Sequence, residues 1–215
     1  MHATATAAAA ACVIFAFSCS GLTTTPCLRN SWTTTPCRGH LHPRGVSTCP
    51  TMSATVELTL VEISNPNEAG VIIGQAHFIK TVEDLSEALA SSTPDIKYGV
   101  AFCEASAKRL VRSQGNDEEL VALAKKNAVT LSAGHSFVIH LSGCFPLHVL
   151  SAVKAVPEVA GVFCATNNPL DVLVASTSKG RGIVGVVDGM TPLGVEGDEE
   201  CGERKSFLRT IGLKF

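Results

Sequence analysis

The chain has 215 residues, of which 46% are hydrophobic and 17% charged, with a net charge of −2. That balance fits a globular protein with a full core, built as one sizeable domain or two small ones. One Trp, one Tyr and a slightly negative charge exclude a stacking platform or a broad basic field for nucleic acid.

The first 51 residues are a different material from the rest. No Asp or Glu precedes Glu57, residues 4–17 carry no charge, and Arg29, Arg38 and Arg44 are the only Lys or Arg residues before Glu57. The uncharged run is shorter than the roughly 20 residues a membrane span needs. The Ser/Thr-rich stretch after it repeats Thr-Thr-Thr-Pro-Cys at 23–27 and 33–37. An acid-free, hydroxyl-rich, Arg-containing segment of this kind is similar to organelle transit peptides. An apolar segment ahead of it is similar to the two-part leaders of plastids reached through the secretory route. Residues 1–51 are therefore expected to be a disordered, cleaved leader addressing the protein to a plastid. A mitochondrial address is the alternative, as is a cytoplasmic form started at Met52. Five of the nine cysteines lie in this leader, and Cys27, Cys37, His40, His42 and Cys49 fit no usual zinc framework. The remaining four cysteines are far apart, which points to a reducing compartment. Removing the leader takes away three arginines and no acid, leaving 14 cations against 19 acids. Any anion the domain binds must be held by local groups.

From Ala54 to Ile63, Val56, Leu58 and Leu60 alternate with Glu57 and Thr59, the period of a half-buried strand. Asn65-Pro66-Asn67 breaks it. Val71 to Phe78 reads as a second strand, ending in His77. Thr81 opens a helix, with Asp84 placed as in a capping box and Val82, Leu85, Ala88 and Leu89 as its apolar face. Tyr98 to Cys103 is an apolar strand that stops on Glu104. Small residues at 105–107 permit close approach by another group, and Lys108, Arg109 and Arg112 follow as anion ligands or as ordinary ion-pair partners. A further strand continues through Leu110-Val111. Asn116, with Glu119 at N3, starts a helix to about Thr130. A strand at 136–141, a short helix from Pro146 to Val156 and a strand at 159–165 come next. Asn167-Asn168-Pro169 turns the chain. Strands at 172–176 and 183–187 flank Lys179-Gly180-Arg181-Gly182, and a last helix runs from about Glu199 to Ile211. Helices alternating with apolar strands predict an α/β fold, a single domain with layered helices on a mixed β-sheet over residues 52–215. Long helical crossovers favour parallel neighbours, and the tight connection between 176 and 183 favours an antiparallel hairpin.

Gly180-Arg181-Gly182-Ile183-Val184-Gly185 has the Gly-x-Gly-x-x-Gly spacing, but a strand-like run follows it instead of a helix, which rules out the dinucleotide mechanism. A Gly-rich hairpin turn and an anion-binding turn using Arg181 both remain. Asp188 ends its strand as Glu104 does, and strand-end carboxylates suit a metal or a proton; a cap on the turn into Gly189 is the plainer role. His77 and His135 stand at strand ends, whereas His140 and His148 read as structural. Asn168 sits in a turn, where its amide is free to read a base or a ribose. Ser106 lacks a nucleophile-elbow setting and Cys103 an obvious His partner, and no Walker A or protein-kinase motif occurs, so the chain is not a P-loop protein.

Six segments carry a resemblance: Val71 to Leu85, Ala101 to Ser106, Lys108 to Arg112, Gly134 to Phe137, Phe163 to Leu170 and Gly180 to Gly189. Together they resemble the adenosine-specific kinase family, small proteins best known from archaea and bacteria. The resemblance runs from about Ala54 to the C-terminus, and Ala107 departs from it by standing where Gly is expected. It implies a fold unlike the ribokinase-type adenosine kinases and a homo-oligomer that binds AMP. It also implies phosphoryl transfer to adenosine, with ATP as inferred donor and magnesium as inferred cofactor. The alternative is a non-catalytic AMP sensor. Nucleic acid and membrane are not expected as partners of the domain. On that reading Asp188 or Glu104 is the base or the magnesium ligand, and His77 donates to a phosphate oxygen. Lys80, Lys108, Arg109 and Arg181 hold phosphate with Gly180 and Gly182 in the turn, and Phe78 and Asn168 contact the base.

Overall fold

The computed structural model describes residues 55–215. The leader assigned to residues 1–51, and with it the Met52 start, lies outside the described residues. Twelve elements follow in the predicted order: β1 (Glu57–Glu62), β2 (Gly70–Ala76), α1 (Thr81–Ala90), β3 (Lys97–Cys103), β4 (Val111–Gly115), α2 (Glu118–Leu131), β5 (Ser136–Ser142), α3 (Pro146–Ala155), β6 (Val159–Thr166), β7 (Leu170–Ser176), β8 (Arg181–Asp188) and α4 (Asp198–Thr210).

The fold is a single α/β domain with two sheets. Five strands pair in the order β4-β3-β5-β2-β6 and three in the order β1-β7-β8. Every pairing between these strands is antiparallel, which corrects the expectation of parallel neighbours. The helical crossovers do link strands of like direction. Each one skips a place, however, and the skipped place holds a strand of opposite direction. Thus α1 joins β2 to β3 with β5 between them, α2 joins β4 to β5 with β3 between, and α3 joins β5 to β6 with β2 between. The hairpin expected around Lys179 is present as the β7–β8 pair.

The five-stranded sheet is covered on both faces. Successive side chains of a strand point to opposite sides, so Ile72 joins Leu85, Leu89, Phe102, Phe137 and Val153 under α1 and α3. Its neighbours Val71 and Ile73 join Ala124, Ala128, Val138, Val172 and Val174 beneath α2 and the three-stranded sheet. This double coverage is why β2 reads as an unbroken apolar run where β1 alternates. Helix α2 lies close on the sheet: a Cβ at Gly99 would sit 2.3 Å from the backbone carbon of Leu120 and from the Val121 nitrogen.

Both helix starts differ in detail from the sequence reading. Thr81 is the first residue inside α1, after Lys80 at the cap, and its hydroxyl donates to the Phe78 carbonyl at 2.7 Å. The cap of α2 is Asp117, which accepts from the Leu120 N–H at 3.1 Å. Asn116 is one residue too early to cap. Its amide instead accepts from the Tyr98 N–H and donates to the Ile96 carbonyl, pinning the helix entry to β3.

Candidate functional site

Three turns meet at one end of the domain. The β3–β4 turn runs from Glu104 to Leu110, the α2–β5 turn from Ser132 to His135, and the β7–β8 turn from Thr177 to Gly180. Between them lies a cleft of about 440 Å³ lined by Glu104, Arg109, Lys179, Gly180 and Arg181, with Ala133 and Gly134 as its floor. The small residues expected to permit close approach do so: a Cβ at Gly134 would be 3.0 Å from the Cβ of Ala105.

The backbone around the cleft is strained. Seven non-glycine residues among those described have positive φ, and four of them, Ala107, Arg109, Ser132 and His135, belong to two of these turns. Each costs of order 1–2 kcal/mol, and such strain concentrates at functional sites. Ala107 stands at φ 53°, a conformation that Gly, the residue expected there from the resemblance, adopts without steric cost.

Glu104 is the one carboxylate lining the cleft. Its Oε2 accepts from the Leu110 N–H at 3.2 Å and from the Arg112 guanidinium at 3.1 Å. The Leu110 N–H, with Arg112 adding to it, holds its carboxyl below the usual carboxylate range. Two guanidinium donors near it have no partner: the Nε atoms of Arg112 and Arg181 are buried and unbonded. Arg181 is oriented from its other side, donating to the Thr130 carbonyl at 3.1 Å. Buried orphaned donors call for an acceptor, and a phosphate oxygen is of the right kind.

His135, at the end of the α2–β5 turn, ties that turn to β3 and to the end of β2. Its N–H donates to the Cys103 carbonyl at 2.8 Å and its carbonyl accepts from the Ala76 N–H at 2.9 Å. Its ring stacks on Phe102 at 5.9 Å, and the exposed His77 ring meets it edge-on at 6.2 Å. On the far side of Ala133 and Gly134 a smaller pocket of about 150 Å³ is lined by Gln75, Phe163, Gly182 and Ile183.

The structure thus brings together Glu104, Arg109, Gly180 and Arg181, with Gly182 in the adjoining pocket and His77 linked through His135. Lys108 is exposed in the same turn without lining the cleft. Lys80 is taken up elsewhere: its ammonium pairs with Glu158 at 2.7 Å and with Asp84, which raise its pKa. Phe78 is exposed at φ 95°. Asp188 and Asn168 are not at the cleft. Asp188 accepts from the Thr166 hydroxyl at 2.7 Å and from the Asn168 amide at 3.1 Å. It ends the strand that Arg181 begins, seven residues or ~23 Å further along. The two strand-end carboxylates therefore do not meet within one chain. Lys179, Gly134, Gln75 and Phe163 were missed; for Lys179, adjacency to the Gly-rich turn was the available signal.

The site is thus a strained, basic cleft formed by three turns on an α/β scaffold without a P-loop. The family model described as "Adenosine specific kinase" matches residues 61–214, and the chain belongs to that family. It is also similar to the PH1918 protein of Pyrococcus horikoshii OT3, whose crystal structure superposes with a TM-score of 0.72 at 44% identity, covering 75% of this chain and 99% of that one. No curated protein matches the chain.

Proposed function

We propose that this protein phosphorylates adenosine to AMP, seating the phosphate in the three-turn cleft. The observation that carries the reading is the convergence of Arg109, Lys179 and Arg181 on a strained cleft in which the Arg181 Nε is buried without a partner. Phosphoryl transfer asks mainly for positioning and charge neutralisation. Arg181, anchored at Thr130, and Arg109 neutralise the transferring group. The ribose hydroxyl forms the new bond to phosphorus as the bond to the departing ADP breaks, and the hydroxyl proton passes to solvent water. Phe163 and Gln75, beyond Gly134, supply an aromatic face and an amide for the adenine ring.

Magnesium is the cofactor such a reaction implies. The described residues hold no group of three or more His, Cys, Asp or Glu positioned for a metal. Glu104 is already engaged by Arg112, and Asp188 is a strand-length away. This donor set does not build a protein-held magnesium site among the described residues.

A second reading is a nucleotide sensor, favoured by the state of Glu104. A carboxylate held below its usual range is a weak proton acceptor, whereas a general base works best near the ambient pH. ADP release by the full chain, with ATP, magnesium and with or without adenosine, separates the two. Adenosine-dependent release lost in Arg181→Ala supports the kinase. AMP binding with no adenosine-dependent turnover leaves the sensor. For location, the leader supports delivery to a plastid.

A further inference from the structure

One side chain of the cleft has a role that phosphate binding leaves unexplained. Glu104 is a carboxylate among cations. Arg109, Lys179 and Arg181 line the same cleft, Arg112 pairs with it, and Lys108 adds to the positive field around it. A site built for phosphate alone has no use for an acid, which repels phosphoryl oxygens. Yet Glu104 is charged at neutral pH, because the Leu110 N–H and Arg112 hold its carboxyl below the usual range.

The two oxygens of Glu104 are unequal. Oε2 is occupied by the turn, accepting from the Leu110 N–H at 3.2 Å and from the Arg112 guanidinium at 3.1 Å. The backbone doubles that tie, with the Glu104 N–H donating to the Leu110 carbonyl at 3.1 Å. The side chain is thereby fixed at the base of the β3–β4 turn, half-buried. Oε1 has no hydrogen-bond partner among the described residues, and unlike the Arg181 Nε it is not sealed from solvent.

A fixed carboxylate with one oxygen free calls for a donor, and the surroundings select which kind. A metal ion or an ammonium would meet the cations that hold the phosphate, and the described residues gather no group of three or more His, Cys, Asp or Glu to share a metal. A neutral hydroxyl meets no such repulsion, and an O–H donating to a carboxylate is among the stronger hydrogen bonds. The cleft, at about 440 Å³, lies within the roughly 300–1,000 Å³ of small-molecule sites.

We propose, resting on the phosphate reading of the cleft given above, that Glu104 Oε1 accepts a hydrogen bond from a sugar hydroxyl of the ligand whose phosphate Arg109 and Arg181 hold. The substrate class is then a phosphate ester of a sugar that keeps a free secondary hydroxyl. Glu104 is neither base nor metal ligand there; it sets specificity. A site built to bond a hydroxyl rejects the analogue lacking it, because the polar group is left unpaired.

Calorimetry on the full chain with AMP and with 2′,3′-dideoxy-AMP tests this, since the second keeps the phosphate and the base and lacks both secondary hydroxyls. The wild type is expected to bind AMP at least ~10-fold more tightly. In Glu104→Gln the amide oxygen stays with the Leu110 N–H and the amino group faces the ligand, so the two nucleotides are expected to bind within ~3-fold of each other. A carboxylate that merely braced the turn would weaken both nucleotides alike and leave their ratio standing. Glu104→Asp, which draws the carboxylate back by one methylene, replaces the amide variant should that one fail to fold, and is expected to lose the ratio in the same way. AMP that fails to bind the wild type overturns the phosphate reading of the cleft and the role of Glu104 with it. A wild type that binds AMP without distinguishing the two nucleotides, or a ratio unchanged in the variant, overturns the role of Glu104 alone.

Discussion

Acid should weaken this protein through one buried histidine. His140 on β5 is fully buried. The Asn127 amide beside it is fixed by the β1–β2 loop: its Oδ1 accepts from the Ser64 N–H at 3.0 Å and its Nδ2 donates to the Ser64 carbonyl at 2.8 Å. Nδ2 therefore also faces His140 Nε2, at 2.8 Å, as a donor. Nε2 must accept, so the ring proton sits on Nδ1, which is buried without a partner. A second proton would set donor against donor in an apolar setting, and burial lowers the His140 pKa from 6.5 to about 4. The sign follows from linkage. Below pH 6.5 the unfolded chain takes up a proton that the folded chain refuses, so stability is full above that pH and lost as pH falls toward 4. Across that window the loss is about 3 kcal/mol, a large part of a typical domain's stability of roughly 5–15 kcal/mol. Carboxylates titrate nearby in pH, so the informative quantity is a difference. Urea unfolding of the wild type and of His140→Gln, which keeps an acceptor for Asn127, should be run at pH 7, 5.5 and 4. The wild type is expected to lose about 3 kcal/mol more than the variant between the ends of the series. A pH-independent difference between the two would refute the reasoning.

Other outcomes follow from the same geometry. Gly99→Ala drives a methyl into the backbone of α2, which cannot yield as a side chain does; a loss of about 3 kcal/mol is expected, read as a melting temperature lowered by roughly 6–12 °C. Ala107→Gly relieves a left-handed alanine and should raise stability by about 0.5–1 kcal/mol in chemical denaturation; a neutral result would mean the turn is not strained. Arg181→Ala removes a guanidinium with an orphaned donor and should weaken AMP binding at least tenfold by calorimetry, and Arg181→Lys should restore only part of it. Glu104→Gln releases Arg112. Because Glu104 sits below its ordinary pKa, its contribution to stability is present at neutral pH and fades as pH falls through its folded-state value, so the variant's deficit should shrink in acid melts. Residues 1–51 fused to a fluorescent protein should reach a plastid; a signal spread through the cytoplasm would count against the leader.

What the sequence made legible was periodicity and punctuation. The twelve elements could be placed because apolar runs, helical stripes and Gly, Pro or Asn breaks mark them, from Val71-Ile72-Ile73 to Pro157. Sheet partition was not legible. Whether a crossover lands beside its starting strand or one place away depends on which strand fills the gap, and β5 arrives 60 residues after β2. The site was half legible. Glu104 and Gly180-Arg181 announce themselves as strand ends, and they do converge. Asp188 has the same local signature, yet the eight residues of β8 carry it to the opposite end of the strand from Arg181. The strained turns at Ser132 and His135 were invisible because positive φ is uncommon for any non-glycine residue and neither position carries a Gly. That no residue of α4 is buried escaped notice because a helix pattern says which side is apolar and not whether anything covers it.

The pairing of β1 with β7 has a consequence for how the chain is made. Glu57 is opposite Ser176, so on the ribosome the first strand must wait for 119 further residues before its partner exists. At bacterial-to-eukaryotic synthesis speeds of about 5–20 residues per second that delay is roughly 6–24 s. The five-stranded sheet can close in the meantime from β2 to β6, leaving β1 as a free, leucine-bearing edge. The nascent protein therefore passes through a state that exposes a strand edge and half a core. It is during those seconds, more than in the finished fold, that it most needs a chaperone.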